Sequence, residues 1–289
     1  MSKTVRIIPR LDIKGPNLVK GIQFEGLRVL GKPEQYARYY YEAGADELAY
    51  VDVVASLYNR NSLHEIISKT ARAIFIPLMV GGGLRTIYDI RAVLRAGADK
   101  VSINTTAIKD PQIIKEAANI FGSSTIVVTI EAIKEKDGCY MAYTDNGRQF
   151  TGIEAIGWAK RVEELGAGEI MISSVDLEGT GKGYDIELTR AISEAVSIPV
   201  IAHGGAGKID HIKQVIVDGK ADAVSVASLL HYGFLTNHKP EFDPGVEGNT
   251  EFVNKEVKFS KFDSADICTI KAYLTDQGIN CRSIEKYNV

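Results

Sequence analysis

Apolar residues in this chain gather in eight short runs, and after each run the apolar positions spread out toward helical spacing. The runs lie at about 5–12, 48–52, 77–81, 100–104, 125–131, 169–174, 198–203 and 223–227, each of strand length. Residues 33–44 begin on Pro33 and end on Gly44, the asymmetry of a helix that starts on a preset φ and stops on a left-handed residue. Residues 152–166 and 185–196 carry comparable amphipathic patterns, and a last helix is expected at 263–277. Strand and helix alternating in this way predict an α/β fold, the (β/α)8 TIM barrel.

The pattern also repeats. Met79-Val-Gly-Gly-Gly83 returns as Ile201-Ala-His-Gly-Gly205, Ile76-Pro77 as Ile198-Pro199, and Gly44-Ala-Asp-Glu-Leu48 as Gly166-Ala-Gly-Glu-Ile170, each time 122 residues later. Gly97-Ala-Asp99 is answered by Lys220-Ala-Asp222. So long a repeat predicts two homologous half-barrels, about 1–122 and 123–289, within one domain spanning 1–289.

Composition narrows the setting. A length of 289 residues suits one barrel of about 250 with extra loops. No apolar run is long enough to span a bilayer, and Met1-Ser2-Lys3-Thr4 does not open a signal peptide, so no membrane association is expected. Cys139, Cys268 and Cys281 lack CxxC spacing and are odd in number, which points to a reducing cytoplasm. A net charge of −3 gives no support for a nucleic-acid partner. The histidines at 64, 203, 211, 231 and 238 are scattered, so neither a metal site nor a cofactor is expected.

Alternation along the first strand puts Arg6, Ile8, Arg10 and Asp12 on the inner face and Ile7, Pro9 and Leu11 toward the helices. The same parity puts Lys100, Ser102 and Asn104 inside, with Val101 and Ile103 outside. Barrel chemistry belongs to the carboxyl ends of the strands, here marked by Asp12, Asp52, Gly81 to Gly83, Asn104, Thr105, Glu131, Asp176, Gly204, Gly205, Ala227 and Ser228. The two glycine clusters follow the third and seventh strands and precede helices, where exposed backbone N–H groups bind anions. They predict one phosphate cradle at Gly83, Asn104 and Thr105 and a second at Gly205, Ala227 and Ser228, hence a long ligand phosphorylated at both ends. Asp12 and Glu131, on the first and fifth strands, would face each other over its middle as acid and base.

Arg6-Ile-Ile-Pro-Arg-Leu-Asp12, Lys20-Gly21, Val80-Gly-Gly-Gly83, Gly97 to Thr105, Asp176 to Thr180 and Gly204-Gly-Ala-Gly-Lys208 together resemble the cyclase subunit family of imidazole glycerol phosphate synthase, HisF, of the histidine pathway. The resemblance runs over about 4–235 and resumes at 263–282. It implies a glutaminase subunit docked at the barrel bottom, with Asp99 at the contact. Ammonia would pass a charged gate of Arg6, Glu47, Lys100 and Glu169 and rise to a doubly phosphorylated ribotide. The products would be imidazole glycerol phosphate and a carboxamide ribotide. The resemblance also implies substrate contacts from Lys20, Glu178 and Gly179, beside catalytic Asp12 and Glu131.

Four positions depart from that family: Glu131 and Glu178 stand for aspartates, His203 for a serine, and Arg10 for a cysteine. Arg10 could neutralise the carboxylates or reshape the pocket; His203 could be a hydrogen-bonded wall residue or a ligand contact. With Asp12 to Ile22 and Glu25 to Gly31, these departures resemble a branch of the family associated with surface polysaccharide synthesis. Three readings follow. The first is a working cyclase and lyase. The second is an ammonia conduit and glutaminase activator serving a sugar amidotransferase that builds amidino sugars. The third is a regulatory barrel that binds a phosphorylated metabolite, against which the charged gate argues. Residues 236–261 form a polar insertion, either a surface loop or a docking element for the ammonia acceptor.

Overall fold

The computed structural model describes residues 3–55, 64–240 and 262–284. In chain order its elements are β1 (Arg6–Lys14), β2 (Asn17–Ile22), β3 (Glu25–Gly31), α1 (Pro33–Glu42), β4 (Leu48–Asp52) and α2 (His64–Ala71). There follow β5 (Leu78–Gly81), α3 (Ile87–Ala96), β6 (Lys100–Ile103), α4 (Thr105–Lys109) and α5 (Gln112–Phe121). The second half holds β7 (Ile126–Lys134), β8 (Tyr140–Thr144), β9 (Gln149–Glu154), α6 (Ala155–Glu164), β10 (Glu169–Ser174) and α7 (Ile186–Ala195). Last come β11 (Val200–His203), α8 (Ile209–Val217), β12 (Ala223–Val226), α9 (Ser228–Asn237) and α10 (Ile267–Asp276).

Strands β1, β4, β5, β6, β7, β10, β11 and β12 pair in that order, all parallel, and β12 pairs back onto β1 through Arg6 with Ala223 and Ile8 with Ser225. The sheet therefore closes into the expected (β/α)8 barrel, with helices between successive strands. Alternation falls as the strand faces predict. Ile8, Ala49, Met79, Val127, Met171, Ile201 and Ala223 form one buried cluster inside the barrel. Ile7, Leu11, Val101 and Ile103 belong to the larger cluster between sheet and helices.

The echoed glycines do the same work in both halves. Gly82 and Gly204 each sit at φ 95°. A Cβ on Gly82 would lie 2.3 Å from the Asp52 carbonyl oxygen, and one on Gly204 would lie 2.9 Å from that of Ser174, the last residues of β4 and β10. The echoed Gly-Ala-Asp is a floor stitch: Asp46, Asp99 and Asp222 accept the N–H of Ile7, Leu78 and Val200 at 2.8, 2.9 and 2.8 Å.

Two features differ from expectation. Hairpin β2–β3 follows β1, and hairpin β8–β9 follows β7; neither is among the eight predicted strands. The helix expected at 152–166 begins only at Ala155, because Glu154 caps it by accepting from the N–H groups of Ile156 and Gly157. Likewise the last helix begins at Ile267, capped by Asp266, not at 263. Most of the 236–261 insertion lies outside the described residues. No helix among the described residues is long and apolar enough to cross a membrane.

Leu11 is fully buried between β1 and the helices. Leu11→Ala should cost about 2–5 kcal/mol of stability, read from the shift of a urea unfolding midpoint.

Candidate functional site

At the barrel floor, Arg6, Lys100 and Glu169 are the first residues of β1, β6 and β10, and Glu47 directly precedes β4. Arg6 donates to Glu47 at 2.9 Å and to Glu169 at 3.1 Å, while Lys100 donates to the same two carboxylates at 2.8 and 2.9 Å. Four charges of alternating sign thus close one ring. Burial pushes the Glu47 carboxyl above its ordinary value, against the pull of Lys100 and Arg6. Burial works against charge on Arg6 too, but Glu169 and Glu47 outweigh it and raise the guanidinium. Asp99 is exposed on the same rim although one oxygen is engaged by Leu78. Beside it stands Phe75, 83% exposed, in a groove with Pro77 and Gly97. The periodicity of the sequence carried no signal for Phe75.

Above the ring comes the apolar layer of Ile8, Met79, Val127, Met171 and Ile201. Polarity returns one step higher, where Arg10, Ser173, His203 and Ser225 are all buried. The interior is therefore charged at the floor, mainly apolar in the middle, where the hydroxyls of Ser102 and Thr129 bond each other, and polar toward the rim.

The two predicted phosphate cradles are unequal. The first opens into a cleft of about 510 Å3 lined by Gly81 to Gly83, Asn104, Thr105, Glu131 and Arg10. Arg85, Lys109, Asn146 and Gln149 also line it. These were missed because basic and amide residues on loops show no periodic pattern. The second cradle brings together Glu178, Gly179, His203, Gly205, Ala227 and Ser228, as expected, but leaves only about 10 Å3 between them. That is room for one water-sized molecule and far too little for a phosphate group.

Hairpin β2–β3 accounts for much of the closure. Its turn lies along the loop after β10: Gln23 N–H donates to the Glu178 carbonyl at 2.9 Å, and Phe24 N–H to the Glu178 carboxylate at 3.1 Å. A Cβ on Gly179 would lie 2.6 Å from the Gly21 carbonyl oxygen, so only glycine allows this approach. Lys20 reaches inward from β2 and bridges Asp12, at 3.2 Å, to Glu178, with which it is in direct contact. Arg10 Nε donates to the other Asp12 oxygen at 2.8 Å. Arg10 therefore neutralises Asp12, one of the two roles open to it from sequence.

These cations separate the two catalytic candidates chemically. Burial alone would raise Asp12, but Arg10 and Lys20 outweigh it and hold the carboxyl well below the usual range. Lys20 in turn is raised, because Glu178 and Asp12 overcome the burial of its charge. Glu131 is different. Burial pushes it up to about 7, with Gly147 N–H, Arg10 and Asn104 pulling the other way. The Gly147 N–H donates to Glu131 at 2.9 Å from the tip of hairpin β8–β9. That tip turns through Asp145, Asn146 and Gly147, all at positive φ, and the Asn-Gly pair between apolar runs was the signal that could have revealed it.

His203 is buried, with Nδ1 3.3 Å from the Ser225 carbonyl oxygen and no protein partner for Nε2. Burial, reinforced by Arg10 and Lys20, holds it neutral well below its ordinary pKa.

Comparison with known proteins matches residues 6–236 to the family described as Histidine biosynthesis protein. "Imidazole glycerol phosphate synthase subunit HisF" of Legionella pneumophila is 55% identical over 206 residues, 71% of this chain and 97% of that protein. The HisF subunit of Methanocaldococcus jannaschii is 50% identical over 248 residues, covering 79% of this chain and 91% of its own length. That of a Nostoc species is 48% identical over 234 residues, covering 80% and 90%. With its closed barrel, ringed floor and paired cradles, the chain belongs to the HisF family of histidine biosynthesis proteins.

Proposed function

We propose that this chain is the cyclase subunit of an imidazole glycerol phosphate synthase. It receives ammonia from a glutaminase partner at the barrel floor and uses it on a ribotide phosphorylated at both ends. The single observation that carries this reading is the ring of Arg6, Glu47, Lys100 and Glu169 beneath an apolar interior that ends among ionisable groups. A ring of paired, half-buried charges around buried Glu47 narrows the floor against water, and a partner that re-pairs one member can open it. Exposed Phe75 beside Asp99 gives that partner an aromatic anchor next to a carboxylate.

At the rim, the open first cradle takes one phosphate at Gly83, Asn104 and Thr105. The second phosphate reaches Gly205, Ala227 and Ser228 once the turn at 21–24 lifts from Glu178 and Gly179. Asp12, fixed as an anion, stabilises positive charge that develops as nitrogen enters the ring. Glu131, with a pKa near neutrality, moves protons, because an acid is most effective when its pKa lies near the working pH. Nitrogen incorporation and cleavage then give imidazole glycerol phosphate and the carboxamide ribotide. The half-barrels 1–122 and 123–289 supply one cradle and one carboxylate each. Paired φ values at Gly82 and Gly204, and the paired hairpins, support that division.

The closed second cradle favours a second reading, in which ammonia passes on to a sugar amidotransferase. Ammonia-dependent conversion of the doubly phosphorylated ribotide separates the two: turnover supports the cyclase, and its absence with glutaminase stimulation intact supports the conduit. In the cyclase, Glu131→Gln should lower kcat by at least about a hundredfold and abolish an inflection of the pH–rate profile near 7. The same substitution tests the pKa through stability. A carboxyl raised from 4.5 to about 7 costs the native state stability as pH rises through that window, so Glu131→Gln should gain on the parent between pH 4.5 and 7.5 in urea unfolding. At the floor, Lys100→Met opens the ring on one side. Glutamine hydrolysed per product formed should rise clearly above one in the assembled synthase; a ratio that stays at one shows the ring is not a seal.

A further inference from the structure

Three buried polar atoms on adjacent barrel strands have no hydrogen-bond partner among the described residues: Ser173 Oγ, His203 Nε2 and Ser225 Oγ. Their strands are neighbours, with Ser173 opposite His203 and His203 opposite Ser225 in the register. All three residues are at least nine-tenths buried. Polar groups at this depth are ordinarily satisfied. His203 and Ser225 also line the space of about 10 Å3 left in the second cradle. The site therefore fits one molecule the size of water that both donates and accepts a hydrogen bond.

The imidazole fixes the direction of those bonds. A carbonyl oxygen only accepts, so the Nδ1 facing Ser225 carries the proton, and Nε2 presents a lone pair. The guest must donate to His203 and accept from a serine hydroxyl. Charge decides between a neutral and a cationic guest. The groups around the ring are Arg10 and Asp12 from β1, Lys20 from β2 and Glu178 from the loop after β10, and they pair among themselves. Glu131 on β7, opposite Ser173, accepts from the Gly147 N–H and is pushed toward its neutral form by burial, so among these described groups no fully ionised carboxylate lacks a cation.

We propose that His203 Nε2, with the hydroxyls of Ser173 and Ser225, holds one molecule of neutral ammonia at the top of the apolar interior, at the foot of the second cradle. This rests on the cyclase reading above. His203 is then a positioning residue for the nucleophile rather than a ligand of the second phosphate. On the same three strands the apolar residues Met171, Ile201 and Ala223 lie one inward step below, and the lower hydroxyls of Ser102 and Thr129 are bonded to each other, so a molecule coming from the floor first meets here acceptors without a protein partner among the described residues. A serine here offers a shorter reach; the imidazole extends the acceptor into the barrel.

The test is steady-state kinetics with the doubly phosphorylated ribotide and an ammonium salt as nitrogen source, free ammonia being varied at fixed pH. His203→Leu removes the acceptor at similar bulk. It should raise KM for ammonia about three- to tenfold, the effect of one neutral hydrogen bond, and leave KM for the ribotide within about twofold. His203→Gln, which keeps an acceptor, should recover most of the loss and guards against a variant that merely folds poorly. A rise in KM for the ribotide with KM for ammonia unchanged overturns the proposal and makes His203 a phosphate contact. No change in either constant overturns it as well. Failure of the cyclase reading is distinct, because the parent chain itself would then show no ammonia-dependent turnover.

Discussion

Four charges in contact, Arg10, Asp12, Lys20 and Glu178, run through the rim with none of them more than 3% exposed. Burying ions is costly, and mutual attraction offsets that cost only when every member keeps its partners. Loss of one member leaves an uncompensated buried charge, a penalty of about 3–5 kcal/mol. The chain therefore behaves as a unit that ties β1, hairpin β2–β3 and the loop after β10 together. Asp12 stays ionised, Lys20 stays inside, and the hairpin turn stays on Glu178 for as long as the unit is intact. A second phosphate is the natural competitor, since it offers Lys20 and the Phe24 N–H an anion in place of Glu178.

Duplication explains the frame, and divergence within it explains the chemistry. Gly82 and Gly204 turn at the same φ for the same reason, a neighbouring strand end that leaves no space for a side chain. Asp46, Asp99 and Asp222 stitch the floor in both halves. The equivalent carboxylates, however, have parted. Asp12 lies between two cations and is held ionised, whereas Glu131 is bonded chiefly by a backbone N–H and rises toward neutrality through burial. Symmetric positions with asymmetric surroundings give one carboxyl held as an anion and one that titrates near neutrality, which a perfectly doubled barrel would lack.

What was legible in the sequence was what periodicity and repetition encode. All eight barrel strands fall within a few residues of their expected places, and the inner face of β1 reads Arg6, Ile8, Arg10, Asp12 as parity requires. The floor residues came from resemblance and meet in one ring. The hairpins were not legible from apolar runs, because β9 is mostly exposed along Gln149 to Glu154 and β3 begins exposed at Glu25; such strands show little burial pattern. The tightness of the second cradle was not legible either. It arises from contacts between residues 21–24 and 176–179, more than 150 positions apart, and from the volume of His203. A motif states which backbone groups converge; it does not state how much space they leave.

The vertical order of the barrel interior is itself a filter. A cation leaving the floor ring would have to shed its water and cross a layer of Ile8, Met79, Val127, Met171 and Ile201 with no anion among its lining residues, at a cost of several kcal/mol even after relaxation. A neutral molecule of the same size meets no such barrier. Ammonia and ammonium interconvert by a single proton, so an apolar layer favours the neutral, nucleophilic form, and under the proposed function the ring below would shield it from bulk water. The atoms of Ser173, His203 and Ser225, without partners among the described residues, would then offer that form a hydrogen bond above the paired hydroxyls of Ser102 and Thr129. Two of them, His203 and Ser225, also line the second cradle, so passage and cradle meet at these side chains. Their level in the wall follows from strand register alone, which makes the register of β10, β11 and β12 part of the chemistry.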